Sequence, residues 1–137
     1  MKIRTTVLCF PVRDLEKALT FYKYVFGLPY ILIEDGMITV ELPQLSLFLI
    51  EKSAFEAYSE KAGREAAFPG EKAPFIVSCA LTAKEEVNKA LEDAPKFGGT
   101  LEANASIDES YGGYVGYISD PDGHLWELVY PPQQPGQ

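Results

Sequence analysis

From residue 4 the chain alternates short β-rich runs with stretches of helical period. "RTTVLCFPV" (4–12) has the length and β-branched content of a strand. In "RDLEKALTFYKYVFG" (13–27) the apolar positions Leu15, Ala18, Leu19, Tyr22 and Phe26 fall at i, i+3, i+4, i+7 and i+11, one face of an α-helix. Asp14 stands where a cap is needed, and Gly27 where the helix should stop. "YILIED" (30–35), "MITVEL" (37–42) and "LSLFLIE" (45–51) then read as three strands parted by Asp35-Gly36 and Pro43-Gln44.

The polar, alanine-rich stretch 53–73 reads as a connector, opened by a short helix because Ser53 and Glu56 have capping-box spacing. After it the order recurs. "FIVSCAL" (75–81) is a strand. "TAKEEVNKALEDA" (82–94) is a helix with Val87, Ala90, Leu91 and Ala94 as its apolar stripe, Thr82 and Glu85 at capping-box spacing, and Pro95 and Gly98-Gly99 to stop it. "TLEANAS" (100–106), "GYVGYIS" (113–119) and "HLWELVY" (124–130) are three more strands. The pattern therefore predicts an α+β chain of two β-α-β-β-β modules, at about 3–52 and 74–131, forming one domain over 1–131 with a frayed tail at 132–137. A half of about 60 residues buries little surface by itself, so the two should share a core.

Composition narrows the function classes. At 47% hydrophobic residues the chain is no disordered segment, and no apolar run reaches the roughly 20 residues that span a bilayer. A net charge of −8 without a basic cluster sets it against nucleic acid. No secretory signal is visible in "MKIRTTVLCF", and two cysteines, Cys9 and Cys79, build neither a disulfide framework nor a zinc ribbon. The expected setting is cytoplasmic, with both thiols as small buried hydrophobes.

The stretch "YVGYISDPDGHLWELVY" (114–130) holds the only Trp, the only His and one carboxylate inside a strand. If "PDG" makes a tight hairpin with Asp120 facing Gly123, then Gly116 faces Glu127 and Tyr117 faces Trp126. Tyr114, Gly116, Ile118, Leu125, Glu127 and Val129 then share one face; Val115, Tyr117, Trp126, Leu128 and Tyr130 share the other, packed on a helix. By the same alternation Thr5, Val7 and Cys9, and Ile76, Ser78 and Ala80, share faces of their own strands. Tyr111 and Tyr114, around Gly112-Gly113, suggest an aromatic lip. His124, beside the turn and on the face opposite Glu127, is a poor metal ligand. Glu127 is left as a ligand anchor, an acid–base group, or a carboxylate without a role.

"SDPDGHLWELVY" (119–130) resembles the last hairpin of the vicinal oxygen chelate superfamily, which includes glyoxalases, extradiol dioxygenases, and fosfomycin- and bleomycin-resistance proteins. "FPVRDLEKALTFYKYVFGLPY" (10–30) resembles its first strand and helix. "TAKEEVNKALEDAPKFGGTL" (82–101) with "GGYVGYISDPDG" (112–123) resembles the second module of glyoxalase-like members. The resemblance covers residues 5–131. It implies a half-open eight-stranded cup with the helices outside. It also implies, in metal-dependent members, four ligands that are usually His or Gln, Glu, His and Glu. The last of these falls on Glu127; the others fall near Val7, Leu49 and Ile76, which cannot bind a metal. The resemblance thus points to a metal-ligand-poor, glyoxalase-like homodimer, without cofactor, that binds a small organic ligand. The expected pocket is Val7, Cys9, Leu49, Ile76, Ser78, Tyr114, Gly116 and Glu127. An enzyme using Glu127 as general acid or base is the alternative, ahead of a metal-dependent lyase or dioxygenase.

Overall fold

The computed structural model describes residues 1–133. The chain divides into two compact units, one of residues 1–68 and one from Pro69 onward, each built on a four-stranded sheet.

The first unit runs β1 (Val7–Val12), α1 (Leu15–Val25), β2 (Ile33–Glu34), β3 (Met37–Leu42), β4 (Leu45–Glu51) and α2 (Lys52–Ser59). Its sheet order is β1-β4-β3-β2, with β1 and β4 parallel and the other pairs antiparallel. The Asp14 carboxylate caps α1, accepting from the Lys17 backbone N–H at 3.1 Å. At the other end Gly27 turns left-handed, with φ +66°, and stops the helix. Asp35 and Gly36 both take positive φ, which a two-residue hairpin between twisted strands requires. One face of the sheet carries Phe10, Val12, Ile38, Val40, Leu47 and Leu49. All are fully buried and packed with Ala18, Phe21 and Tyr22 of α1.

Two local expectations change here. The strand expected at 30–35 is only Ile33–Glu34, because this edge strand pairs with β3 for two residues before the turn. The connector helix starts earlier than Ser53 suggests. β4 runs straight into α2, and Glu51 is the cap: its carboxylate takes the Ser53 backbone N–H at 2.9 Å and the Ser53 hydroxyl. These bonds to the ionised form hold the Glu51 carboxyl below the usual carboxylate range.

The second unit runs β5 (Val77–Ala80), α3 (Lys84–Asp93), β6 (Thr100–Asp108), β7 (Gly113–Ser119) and β8 (Leu125–Tyr130). The order is β5-β8-β7-β6, again with the first strand parallel to the last. Val87 and Leu91 of α3 are buried with Ile118, Trp126 and Leu128 of the sheet. Gly116 lets α3 sit close, since a Cβ there would lie 2.7 Å from a Leu91 methyl. The Thr82–Glu85 cap does not form. Ala83 is the first flanking residue of α3, and the Thr82 hydroxyl reaches the Glu86 carboxylate instead, at 3.1 Å. Each unit thus repeats the β-α-β-β-β order, and the α+β class stands. Of the expected frayed tail, residues 134–137 lie outside the described residues.

Candidate functional site

The β7–β8 turn decides which side chains meet. Asp120 and His124 close it: the Asp120 N–H bonds to the His124 carbonyl at 3.1 Å. Inside, one Asp120 carboxylate oxygen accepts from the N–H groups of Asp122 (3.0 Å) and His124 (2.9 Å). Gly123 takes φ +89°. The loop is therefore Pro121-Asp122-Gly123, three residues with a left-handed glycine last. That length moves the register by one from a tight "PDG" hairpin. Tyr117 pairs with Glu127, Ile118 with Trp126, and Gly116 with Leu128.

A one-residue slip turns every β7 side chain to the other face. Tyr117, expected beside Trp126, lies on the face of Glu127 and donates its hydroxyl to Glu127 Oε2. On the other flank β5 pairs Ser78 with Glu127, and the Ser78 hydroxyl donates to Oε1 at 2.7 Å. Glu127, central in its strand, is thus held from both neighbouring strands by neutral hydroxyl donors. Along the same face Val115 pairs with Val129, and Gly113 with Asp108 at the end of β6. The Tyr111 ring fills the space where a Gly113 side chain would stand. The face thus reads, along β7, Tyr111 over Gly113, then Val115, then Tyr117.

The expected pocket residues are only partly brought together. Ser78 and Glu127 share this face of the second sheet, while Ile76 precedes the first paired residue of β5 and is half exposed. Tyr114 and Gly116 do not belong to it. The slip turns both towards α3, where the Tyr114 hydroxyl bonds to Asn88 Oδ1 and Gly116 meets Leu91. Of the expected aromatic lip, Tyr111 alone stands on the Glu127 face. In the first unit, Val7 and Cys9 lie on the face opposite α1, but Leu49 does not. The parallel register pairs Cys9 with Phe48 and Leu49 with buried Phe10, so Leu49 is core and Phe48 stands beside Cys9.

Electrostatics add detail. The hydrogen bond to Glu127 is the largest cause pushing the Tyr117 phenol up to about 12, so at neutral pH it is a firm proton donor. The Tyr111 phenol is raised too, by desolvation and then by the charges of Glu127 and Asp108. Against the expected burial, Cys9 is exposed and Cys79 half-buried; partial desolvation still pushes both thiols up and weakens them as nucleophiles or metal ligands. Of the four ligand positions that the resemblance implies, Val7, Leu49 and Ile76 are aliphatic, and both Glu127 oxygens already accept hydroxyl protons. Among the described residues no group of three or more His, Cys, Asp or Glu side chains could hold a metal ion.

A concavity of about 450 Å³ also occurs in this unit, lined by Lys84, Ile107, Tyr114, Tyr130 and Pro132 among others. Tyr114 and Tyr130 belong to the face opposite Glu127, so this hollow is not the Glu127 site.

The profile of the Glyoxalase/Bleomycin resistance protein/Dioxygenase superfamily matches residues 4–128. No curated protein matches the chain in sequence. Solved structures of similar fold include a glyoxalase-related enzyme from Fulvimarina pelagi, 26% identical, covering 94% of this chain and 88% of that one at a TM-score of 0.79. Lactoylglutathione lyase from Agrobacterium tumefaciens is 20% identical, covering 95% of both chains at a TM-score of 0.64. The fosfomycin resistance protein FosX from Mesorhizobium loti is 16% identical, covering 96% of this chain and 95% of that one at 0.66. The likeness to the last two is one of fold.

Proposed function

This chain belongs to the glyoxalase/bleomycin resistance protein/dioxygenase superfamily, and from that premise we propose that it binds a small organic molecule at Glu127 without a catalytic metal. The observation that carries this reading is the array Ser78–Glu127–Tyr117. Two hydroxyl groups from flanking strands orient one carboxylate on a face that also carries Val115, Val129 and Ala80 beside it, with Asp108 and Tyr111 at its far end. A small number of oriented polar groups beside apolar neighbours is how small-molecule sites fix a ligand's orientation. Its donors are protein hydroxyls, and the other three positions where the resemblance implies metal ligands, Val7, Leu49 and Ile76, are aliphatic here. The same reading takes the protein as a cytoplasmic homodimer. Dimerisation is implied by the family resemblance, and two free cysteines suit a reducing compartment.

A second reading has one observation in its favour. Glu127 touches two hydroxyl protons, so the array could pass a proton to or from a bound substrate, with Glu127 as general acid or base. A screen of small organic compounds followed by backbone NMR separates the readings. Binders should shift the signals of Ser78, Tyr117 and Glu127, and Glu127→Gln should weaken them by about 10- to 100-fold, the loss of one charge-assisted contact. If affinity instead survives while turnover falls by about 10²–10⁴, Glu127 is catalytic. If neither changes, Glu127 has no part in binding and the proposal fails.

A further inference from the structure

We propose that the hollow on the α3 side of the second sheet is a binding site of its own, one for an aromatic carboxylic acid. Its floor is a single row of cross-strand neighbours: Ile107 of β6 pairs with Tyr114 of β7, and Tyr114 with Tyr130 of β8. Further along this face Gly116, Ile118, Trp126 and Leu128 are buried, with Leu91 of α3 against Gly116. The helix begins only at Lys84, and in the last row both tyrosines are half-buried and Ile107 is exposed. The space left there, about 450 Å³, is walled by the first turn of α3 and by Pro131 and Pro132. Small-molecule pockets fall in the range of roughly 300–1,000 Å³.

The lining suits a flat apolar body. Both phenol hydroxyls are tied back, Tyr114 donating to Asn88 Oδ1 and Tyr130 accepting from Gln133 Nε2 at 2.6 Å. What the floor offers a ligand is therefore ring and aliphatic surface. The polar end is Lys84, whose ammonium stands over the Tyr114 ring, 5.4 Å from its centre. Lys89 and Lys96 pair with Asp93 and Glu92, whereas among the described residues no carboxylate pairs with Lys84. Glu85 also lines the hollow. Successive helix side chains diverge by about 100°, however, and the charge set at the aromatic floor is the positive one. A ring bearing a carboxylate meets both features at once, its ring on the tyrosines and its acid on the ammonium.

The experiment titrates the full chain with three probes of one shape, naphthylacetate, naphthylethanol and naphthylethylammonium, followed by NMR at moderate salt. Naphthylacetate should shift Lys84, Ile107, Tyr114 and Tyr130 and leave Ser78 and Glu127 in place. It should bind about two- to fivefold more tightly than the alcohol, the range of an exposed ion pair. Lys84→Met should remove that preference and leave the alcohol's affinity as it was. Lys96→Met, which takes a positive charge from beyond the other end of α3, should change nothing. Ile107→Glu, a charge set on the floor at an exposed position, should abolish binding of the acid. Equal or tighter binding of the alcohol or the ammonium overturns the assignment to acids. Shifts confined to Ser78, Tyr117 and Glu127 put the probe on the opposite face and overturn the site in the hollow, as does an absence of binding at millimolar concentration. If the acid binds only to a chain ending at Gln133, residues 134–137 compete for the hollow and the proposal fails.

Discussion

At Glu127 one carboxylate is shared between two hydroxyls, and the partner with the larger consequence is Tyr117. An ordinary tyrosine loses its proton near pH 10; here the bond to Glu127 moves the phenol to about 12. The folded state therefore holds this proton more tightly than the unfolded chain does. The stabilisation is fully present below about pH 10 and disappears as pH rises through about 12. Phenolate absorbance of wild type and Tyr117→Phe gives Tyr117's own titration by difference. Its midpoint should lie well above those of exposed tyrosines, and in Glu127→Gln it should drop back towards 10, because the neutral amide no longer favours the protonated phenol. A Tyr117 midpoint unmoved by Glu127→Gln would show that the hydrogen bond does not govern it.

Between elements, the β7–β8 turn shows how far the sequence is legible. The order of strands and helices, the Asp14 cap and the burial of Trp126 all follow from pattern, because hydrophobic period and capping chemistry are local. The identity of Glu127's neighbours depends instead on register, a count of loop residues. Taken as a two-residue turn, "DPDGH" pairs Gly116 with Glu127 and hides Tyr117 on the helix side. The signal for the longer loop is in the same letters: Pro121 suits the second position of a type I turn, and Gly123 the left-handed residue that follows it. Leu49 is a different kind of miss. Likeness to a ligand position carries no information on which face it takes, and the parallel pairing of Cys9 with Phe48 turns it to the core. The turn itself can be tested. Gly123 has φ +89°, and a Cβ there would lie 2.7 Å from the Pro69 carbonyl oxygen. Gly123→Ala should cost about 2 kcal/mol or more, from left-handed strain and that collision together. Gly27→Ala, at φ +66° with nothing within 4 Å, should show the strain alone, about 1 kcal/mol. Urea unfolding of the two variants measures the difference, and equal losses would mean that the Pro69 contact carries no energy.

Across the whole chain, the four ligand positions that the resemblance implies are divided between the modules, near Val7 and Leu49 in the first and at Ile76 and Glu127 in the second. Three are aliphatic, and Leu49 is wholly committed to the core of its own unit. Repairing a metal site would therefore need more than one substitution, and a change at Leu49 would alter packing before it added a donor. The alternative donors offer little. The Cys9 and Cys79 thiols are pushed up by partial desolvation, and the one histidine, His124, is buried in the β7–β8 turn, away from the Glu127 strand position. A transition metal that keeps three or four protein ligands in most stable sites should find here a single carboxylate already engaged by Ser78 and Tyr117. The protein purified from medium containing zinc, nickel and iron should carry far less than one equivalent of any of them by elemental analysis. Incubation with a strong chelator should leave both its melting temperature and its affinity for any small organic compound that binds at Glu127 unchanged. A stoichiometric metal that a chelator removes with loss of binding, and that Glu127→Gln also abolishes, would overturn the reading of Glu127 as a hydroxyl-held carboxylate and return this chain to the metal-dependent branch of its family.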